Sequence, residues 1–265
     1  MNLLDLPPVA AVLDTAYRAL MGLSHLLEPL AGTAASAVAV VLLTLAVRAV
    51  LVPVGVSQAK AERDRARLAP RLAELQRRHR KDPEKLQRAM RDLYAEEGTT
   101  PLAGCLPMLA QAPVVGVVYA LFLHAQIAGH DNELLGHDLF GAPLGSSLVG
   151  SLGAGAAAVP TLAVAGMVVL AIALVAELTR RASLPGGRLA VPRATAATAV
   201  APGGDMPNPL AGPGMQNALG ALQFLTAVIA CFVPLAAGLY LLVTVTWTLV
   251  QRVVLRRRYP IEVAG

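Results

Sequence analysis

Three stretches of this 265-residue chain contain no Asp, Glu, Lys or Arg: Gly98–His130, Leu139–Ala176 and Met206–Gln251, of 33, 38 and 46 residues. The hydrocarbon core of a bilayer, about 30 Å thick, is crossed by about 20 apolar residues in helical form. Each run is long enough to cross. In lipid every backbone polar group must be paired within the chain, which makes helices the spanning form for such runs. Charged residues are 15% of the chain, against roughly a quarter in an ordinary soluble domain. The sequence reads as an all-α integral membrane protein.

Residues 35–56 give a first span, apolar apart from Arg48. Residues 101–124 give a second and 160–178 a third. Met215–Gln251 is 37 residues without a charge, about 55 Å as one helix, so it must fold back. Pro234 near its middle divides it into spans 215–232 and 235–255 joined by a tight turn. Five spans place the two ends of the chain on opposite sides.

Orientation follows from Lys and Arg, which are retained in cytoplasmic loops. Residues 57–100 carry 12 of them, 179–214 carry four and the tail four (Arg252, Arg256, Arg257 and Arg258), together 20 of the 22. Residues 1–34 contain only Arg18, and 125–159 contain none. This predicts a plasma-membrane protein with its N-terminus outside and its C-terminus cytoplasmic. No basic residue precedes Arg18, so the first residues read as part of the mature chain rather than a leader.

The segments between spans have distinct characters. In residues 1–34, Val9, Leu13, Ala16, Leu20, Leu23 and Leu27 share one helical stripe. Such a helix lies in the outer interface or packs on the outer ends of the spans, and the two are compatible. Residues 57–100 read as two helices broken at Lys81-Asp82-Pro83, with Asp82 as cap and Pro83 in the first helical position. Leu68, Leu72 and Leu75 of one arm can face Leu86, Met90 and Leu93 of the other, making a helical hairpin in the cytoplasm. Residues 179–214, rich in Gly and Pro, form a flexible cytoplasmic connector. Residues 141–159 are largely Gly, Ala and Ser, and no site is expected there. Residues 256–265 form a basic cytoplasmic tail.

Arg48 stands thirteen residues beyond Ala35 in an apolar helix, where a charge near mid-membrane costs about 2.5–3.5 kcal/mol on insertion scales. Two readings meet that cost. The guanidinium snorkels toward the cytoplasmic end near Gly55, roughly 10 Å away, or it faces a wet, protein-lined cavity. Thr44, one turn earlier, and Gln111, Thr226, Thr244, Thr246 and Thr248 could line the same cavity, although such hydroxyls commonly satisfy backbone carbonyls instead.

Other chemistries lack support. The five histidines show no close metal-ligand spacing, and Cys105 and Cys231 fall roughly 20–25 Å apart by helix rise, too far for a disulfide. No phosphate-binding Gly-x-x-x-x-Gly-Lys loop and no His-Glu-x-x-His pair occurs. The chain is expected to be no enzyme, to use no cofactor or metal, and to bind no specific nucleic acid.

Leu43–Pro53, with Thr44 and Arg48 one turn apart, resembles the first core span of the YidC/Oxa/Alb family of membrane protein insertases. Thr100-Pro101-Leu102-Ala103-Gly104-Cys105-Leu106-Pro107, followed by Gln111-Ala112-Pro113, is similar to that family's Asn-Pro-Leu-Gly-Gly-Cys-Leu-Pro and Gln-x-Pro. Met215-Gln216, the Pro234 turn, Gly238-Leu239-Tyr240 and Thr248–Gln251 resemble its closing hairpin less strictly. Leu241 and Thr244-Val245 stand where members commonly carry a second aromatic and a Ser-Asn pair. No stretch resembles the large extracytoplasmic domain of some bacterial members.

The resemblance implies five transmembrane helices enclosing a hydrophilic groove, open to the cytoplasm and lipid and closed outside. Arg48 would be its positive centre, with Thr44, Gln111 and Tyr240 in the groove, and the cytoplasmic hairpin (Leu72, Leu75, Leu86 and Met90) would recruit substrate. The implied activity is insertion of nascent membrane proteins into the lipid bilayer without nucleotide hydrolysis, with the ribosome, contacted by Arg256–Arg258, and the Sec translocon as further partners. The alternative from the residues alone is a small-anion transporter with Arg48 as counter-charge. Five spans do not halve into the paired repeats common in such transporters.

Overall fold

Leu13, Tyr17, Leu20 and Met21 recur at spacings of three and four, so one helical face collects the groups with most to gain from burial. The computed structural model forms that helix as α1, Pro7–Ala31, and describes residues 7–79, 82–98, 116–118, 120–124, 126–127, 130–153, 155–184, 187, 189 and 221–260. Gly32 ends α1 at φ 53°, a conformation glycine adopts without strain, and one 3-10 turn, Gly32–Ala34, leads into α2, Ala35–Val50. Pro53 has no N–H to give the carbonyl of Ala49, and the helix breaks at Leu51 before α3, Val52–Arg78. Asp82 accepts the Lys85 N–H at 3.0 Å, and Pro83 opens α4, Pro83–Glu96.

After helical residues 116–118 and 120–123 the chain turns into two small antiparallel ribbons. β1 (Gln126–Ile127) pairs with β2 (His130–Asp131), Gln126 opposite Asp131. β3 (Asp138–Leu139) pairs with β4 (Ala142–Pro143), Leu139 opposite Ala142. Phe140 at φ 52° and Gly141 at φ 78° supply the two left-handed residues of the connecting turn. Three helices complete the description: α5 (Val159–Ser183), α6 (Leu225–Ala230) and α7 (Leu235–Arg258).

Among the described residues three helical stretches are long and apolar enough to cross a membrane: Val9–Val50, Val159–Ser183 and Leu235–Arg258. The expected span 101–124 lies mostly outside the described residues, as do residues 215–220 of the span expected at 215–232. The fold is mostly helical.

The chain divides into two compact units. The first comprises residues 1–51, 110–177 and 224–249, the second 52–109, 178–223 and 250–265. In the first, α1, α2, α5, α7 and the ribbon segment share one core in which Leu20, Val40, Leu134, Leu144 and Ile172 are fully buried. In a bilayer, where lipid is as apolar as these side chains, close packing rather than removal from water holds such helices together. Met167, Leu170 and Leu174 of α5 stay exposed at helical spacing, the face a membrane helix presents to lipid. In the second unit the α3–α4 hairpin closes on Leu68, Leu72 and Leu93, with Leu75, Met90 and Tyr94 packed against them.

Main-chain hydrogen bonds join the ribbon segment to the start of α7. The Leu235 N–H donates to Ser146 O at 2.8 Å, Ala236 N–H to Leu144 O at 3.0 Å, and Val149 N–H to Cys231 O at 3.0 Å.

Candidate functional site

Arg48 occupies the last turn of α2, half-buried, because Pro53 ends that helix earlier than apolar composition alone suggests. A helix C-terminus carries partial negative charge on its carbonyls, so the guanidinium sits where the helix dipole favours it. Among the described residues it makes no hydrogen bond and no ion pair. Its charge is compensated, among the described residues, by position rather than by a carboxylate.

Thr44, one turn back, is buried, and its hydroxyl donates to Val40 O at 2.7 Å. Thr246 and Thr248 likewise donate to Leu242 O at 2.7 Å and Thr244 O at 2.8 Å. These donors are spent on their own helices, while the oxygens keep acceptor capacity. Thr244 differs: among the described residues its buried hydroxyl has no hydrogen-bond partner. An orphaned buried hydroxyl costs about 1–3 kcal/mol, so it is the polar group in this set with most to gain from a visiting donor or acceptor. Tyr240 is half-buried on the first unit's core, with its ring centroid 6.1 Å from that of Phe122. Gln111 and Cys105 lie outside the described residues.

In the hairpin, Leu72 is buried and Leu75 and Met90 pack on it, while Leu86, half-buried, stands apart from that cluster. Tyr94, which the leucine spacing does not single out, joins it. Beside it a cleft of about 440 Å³ has Arg71 and Arg78 on the α3 side, Asp92 and Glu96 on the α4 side, and Leu75 and Leu93 between. Glu97, just past α4, pairs with Arg67 and, at 2.8 Å, with Arg71, which ties the two arms together at their open end. At the other end, the Lys85 N–H and ammonium hold the Asp82 carboxyl below its usual range.

Sequence reasoning missed a polar cluster in the ribbon segment. Ser24 and Ser36 hydroxyls are 2.7 Å apart, and Ser36 also bonds His137 Nδ1, so α1, α2 and the 3-10 turn ahead of β3 meet at one buried point. Nearby in the chain, the Glu133 N–H donates to Tyr17 Oη at 3.1 Å. These partners stand 101 and 116 residues apart, which no local pattern announces. Among the described residues no three His, Cys, Asp or Glu side chains converge as a metal site.

A profile of the family described as 60Kd inner membrane protein matches residues 27–262. Proteins named membrane protein insertase YidC are similar to the chain in part. The Clostridium perfringens protein is 32% identical over 117 residues, 44% of this chain and 49% of that protein. The Wolinella succinogenes protein is 37% identical over 102 residues, 38% of this chain and 19% of that protein. The Streptomyces avermitilis protein is 34% identical over 120 residues, 42% of this chain and 28% of that protein. The matched stretches thus span half or less of these relatives' lengths.

Proposed function

We propose that this chain, which belongs to the YidC/Oxa/Alb family described as 60Kd inner membrane protein, inserts nascent membrane proteins into the lipid bilayer. It is an integral membrane protein of the bacterial membrane.

The observation that carries the reading is Arg48: a half-buried cation, without an ion pair among the described residues, on an apolar helix. A chain being inserted must move polar and often acidic residues through a medium without hydrogen bonds, at several kcal/mol per unsatisfied group. A hydrophilic groove shortens that path, and a fixed positive charge at low dielectric attracts an acidic segment transiently. Thr44, Gln111, Tyr240 and the orphaned hydroxyl of Thr244 are its proposed polar lining. The substrate's apolar segment then partitions into lipid, which drives the step without nucleotide hydrolysis.

In this reading five spans surround the groove, residues 57–100 lie in the cytoplasm and receive substrate at Leu72, Leu75, Leu86 and Met90, and the N-terminus is outside. The ribosome and the Sec translocon are the proposed partners during synthesis. The concentration of basic residues in 57–100, 179–214 and the tail supports that orientation.

Reconstitution tests it. Vesicles holding wild type, Arg48→Ala or Arg48→Lys are compared for insertion of a single-span substrate with an acidic tail. Arg48→Ala should lose most insertion and Arg48→Lys should retain part, since charge rather than bidentate geometry is invoked. Equal insertion by all three removes Arg48 from the mechanism. Photocrosslinkers at Thr44 or Gln111 that never capture nascent chain remove the groove.

A further inference from the structure

Along its last two turns α7 changes character on a single face. Val250 and Val254, 55% and 56% exposed, lie one turn apart. Arg257 and Arg258, also exposed, follow Val254 at the next turn and fall on the same stripe. The face therefore runs from apolar to cationic. At 24 residues α7 is long and apolar enough to cross a membrane, about 36 Å at 1.5 Å per residue, so its final turn reaches the headgroup level. Tyr259 follows at once, a residue type that settles at that level, and the Lys60 ammonium stands 5.8 Å from the centre of its ring.

The neighbouring cation is occupied elsewhere. Arg256 lies 3.5 Å from Glu62 of α3 and donates to the carbonyl of Leu189 at 3.4 Å. The two helices also approach at Gly55, where a Cβ would come 1.6 Å from Gln251 Nε2. α3 thus braces the end of α7 and leaves Arg257 and Arg258 facing outward.

We propose that this face binds an anionic phospholipid, its acyl chain along Val250 and Val254 and its phosphate against Arg257 and Arg258, with Lys60 adding a third positive charge beside Tyr259. A polynucleotide phosphate would satisfy the arginines but leave the two valines without a partner. A lipid accounts for both ends of the stripe, because it carries the same apolar-to-anionic sequence along its length. The site is independent of the insertion reading, and Arg48→Ala should leave it intact.

The test uses the full chain in phosphatidylcholine vesicles with a minority of phosphatidylglycerol, and electron spin resonance of spin-labelled versions of each lipid. Wild type should hold labelled phosphatidylglycerol in preference to phosphatidylcholine, and R257Q/R258Q should lower that preference by about fivefold or more, the scale of one or two basic residues near a membrane surface. Arg252→Gln is the control: Arg252 is exposed on the opposite face of α7 and its loss should change the preference little. Equal losses for R252Q and R257Q/R258Q reduce the effect to bulk charge and overturn the site. An unchanged preference in R257Q/R258Q, with lost pelleting alongside purified ribosomes, overturns it in favour of RNA.

Discussion

Asn132 caps the helix that ends in Leu123: its side-chain amide donates to the carbonyl of Leu121 at 2.7 Å and to that of His124 at 3.0 Å. One buried side chain thereby satisfies two carbonyls that the helix itself leaves open. Asn132→Asp keeps the shape but replaces both donors with acceptors facing carbonyl oxygens. It should destabilise the first unit by about 1–3 kcal/mol, more than Asn132→Ala, seen as a lower unfolding temperature in detergent. An Asp variant as stable as wild type would mean that this capping does not operate.

His137 meets Ser36 from 101 residues away, and Ser36 keeps Ser24 as a second partner. Removing the imidazole should therefore free the ribbon segment without separating α1 from α2. In His137→Ala, amide exchange across residues 130–143 should rise roughly fivefold, corresponding to about 1 kcal/mol, while α5 amides keep their protection. A uniform rise in both would instead report global destabilisation.

Gly55 leaves room for a side chain only if the Gln251 amide, the far end of a flexible side chain, moves aside. Gly55→Ala should force the Gln251 amide aside and weaken the second unit, and Gln251→Ala should relieve most of that cost. The double-mutant cycle is the measurement, and an interaction energy of about 0.5 kcal/mol or more is expected for residues in contact. Additive effects would mean that the contact does not constrain the helices.

Asp82 gives the hairpin a pH dependence of definite sign. Its carboxyl is held below the ordinary value of 3.8, first by the Lys85 N–H and then by the Lys85 ammonium. A depressed folded-state value means the cap is fully effective above the unfolded value and is lost as pH falls through the folded one. Protection of the Lys85 amide should therefore drop in that acid range in wild type. In Asp82→Asn, which can still cap, it should stay flat.

The parts legible in sequence are those governed by local periods. Leu68, Leu72 and Leu93 meet because heptad-like spacing and the Asp82-Pro83 break dictate a hairpin. Leu13 and Leu20 are buried because they share a stripe of α1. Arg48 stands out by composition, but its place in the last turn of α2 depends on where Pro53 ends that helix, and apolarity alone carries the helix on to Gly55. Ser36, Asn132 and His137 were illegible because their partners come from distant elements and a polar residue's spacing says nothing about its partner. Tyr94 escapes for a simpler reason: a pattern built on leucines passes over an aromatic at the next turn.

The glycine, alanine and serine around residue 150 suggest a segment with no recognition chemistry, yet main-chain N–H groups and carbonyls fasten residues 144–149 to the turn before α7. Main-chain pairing is blind to side-chain identity. The bonds from Ser146 and Val149 therefore tolerate a change of side chain there, whereas Leu144 is fully buried, Gly145 has no room for a side chain beside the Leu135 carbonyl, and proline at Leu144, Gly145, Ser146, Val149, Leu235 or Ala236 removes a donor already in use. At Gly145 and at those donor positions selection would act on what cannot be present rather than on what must be.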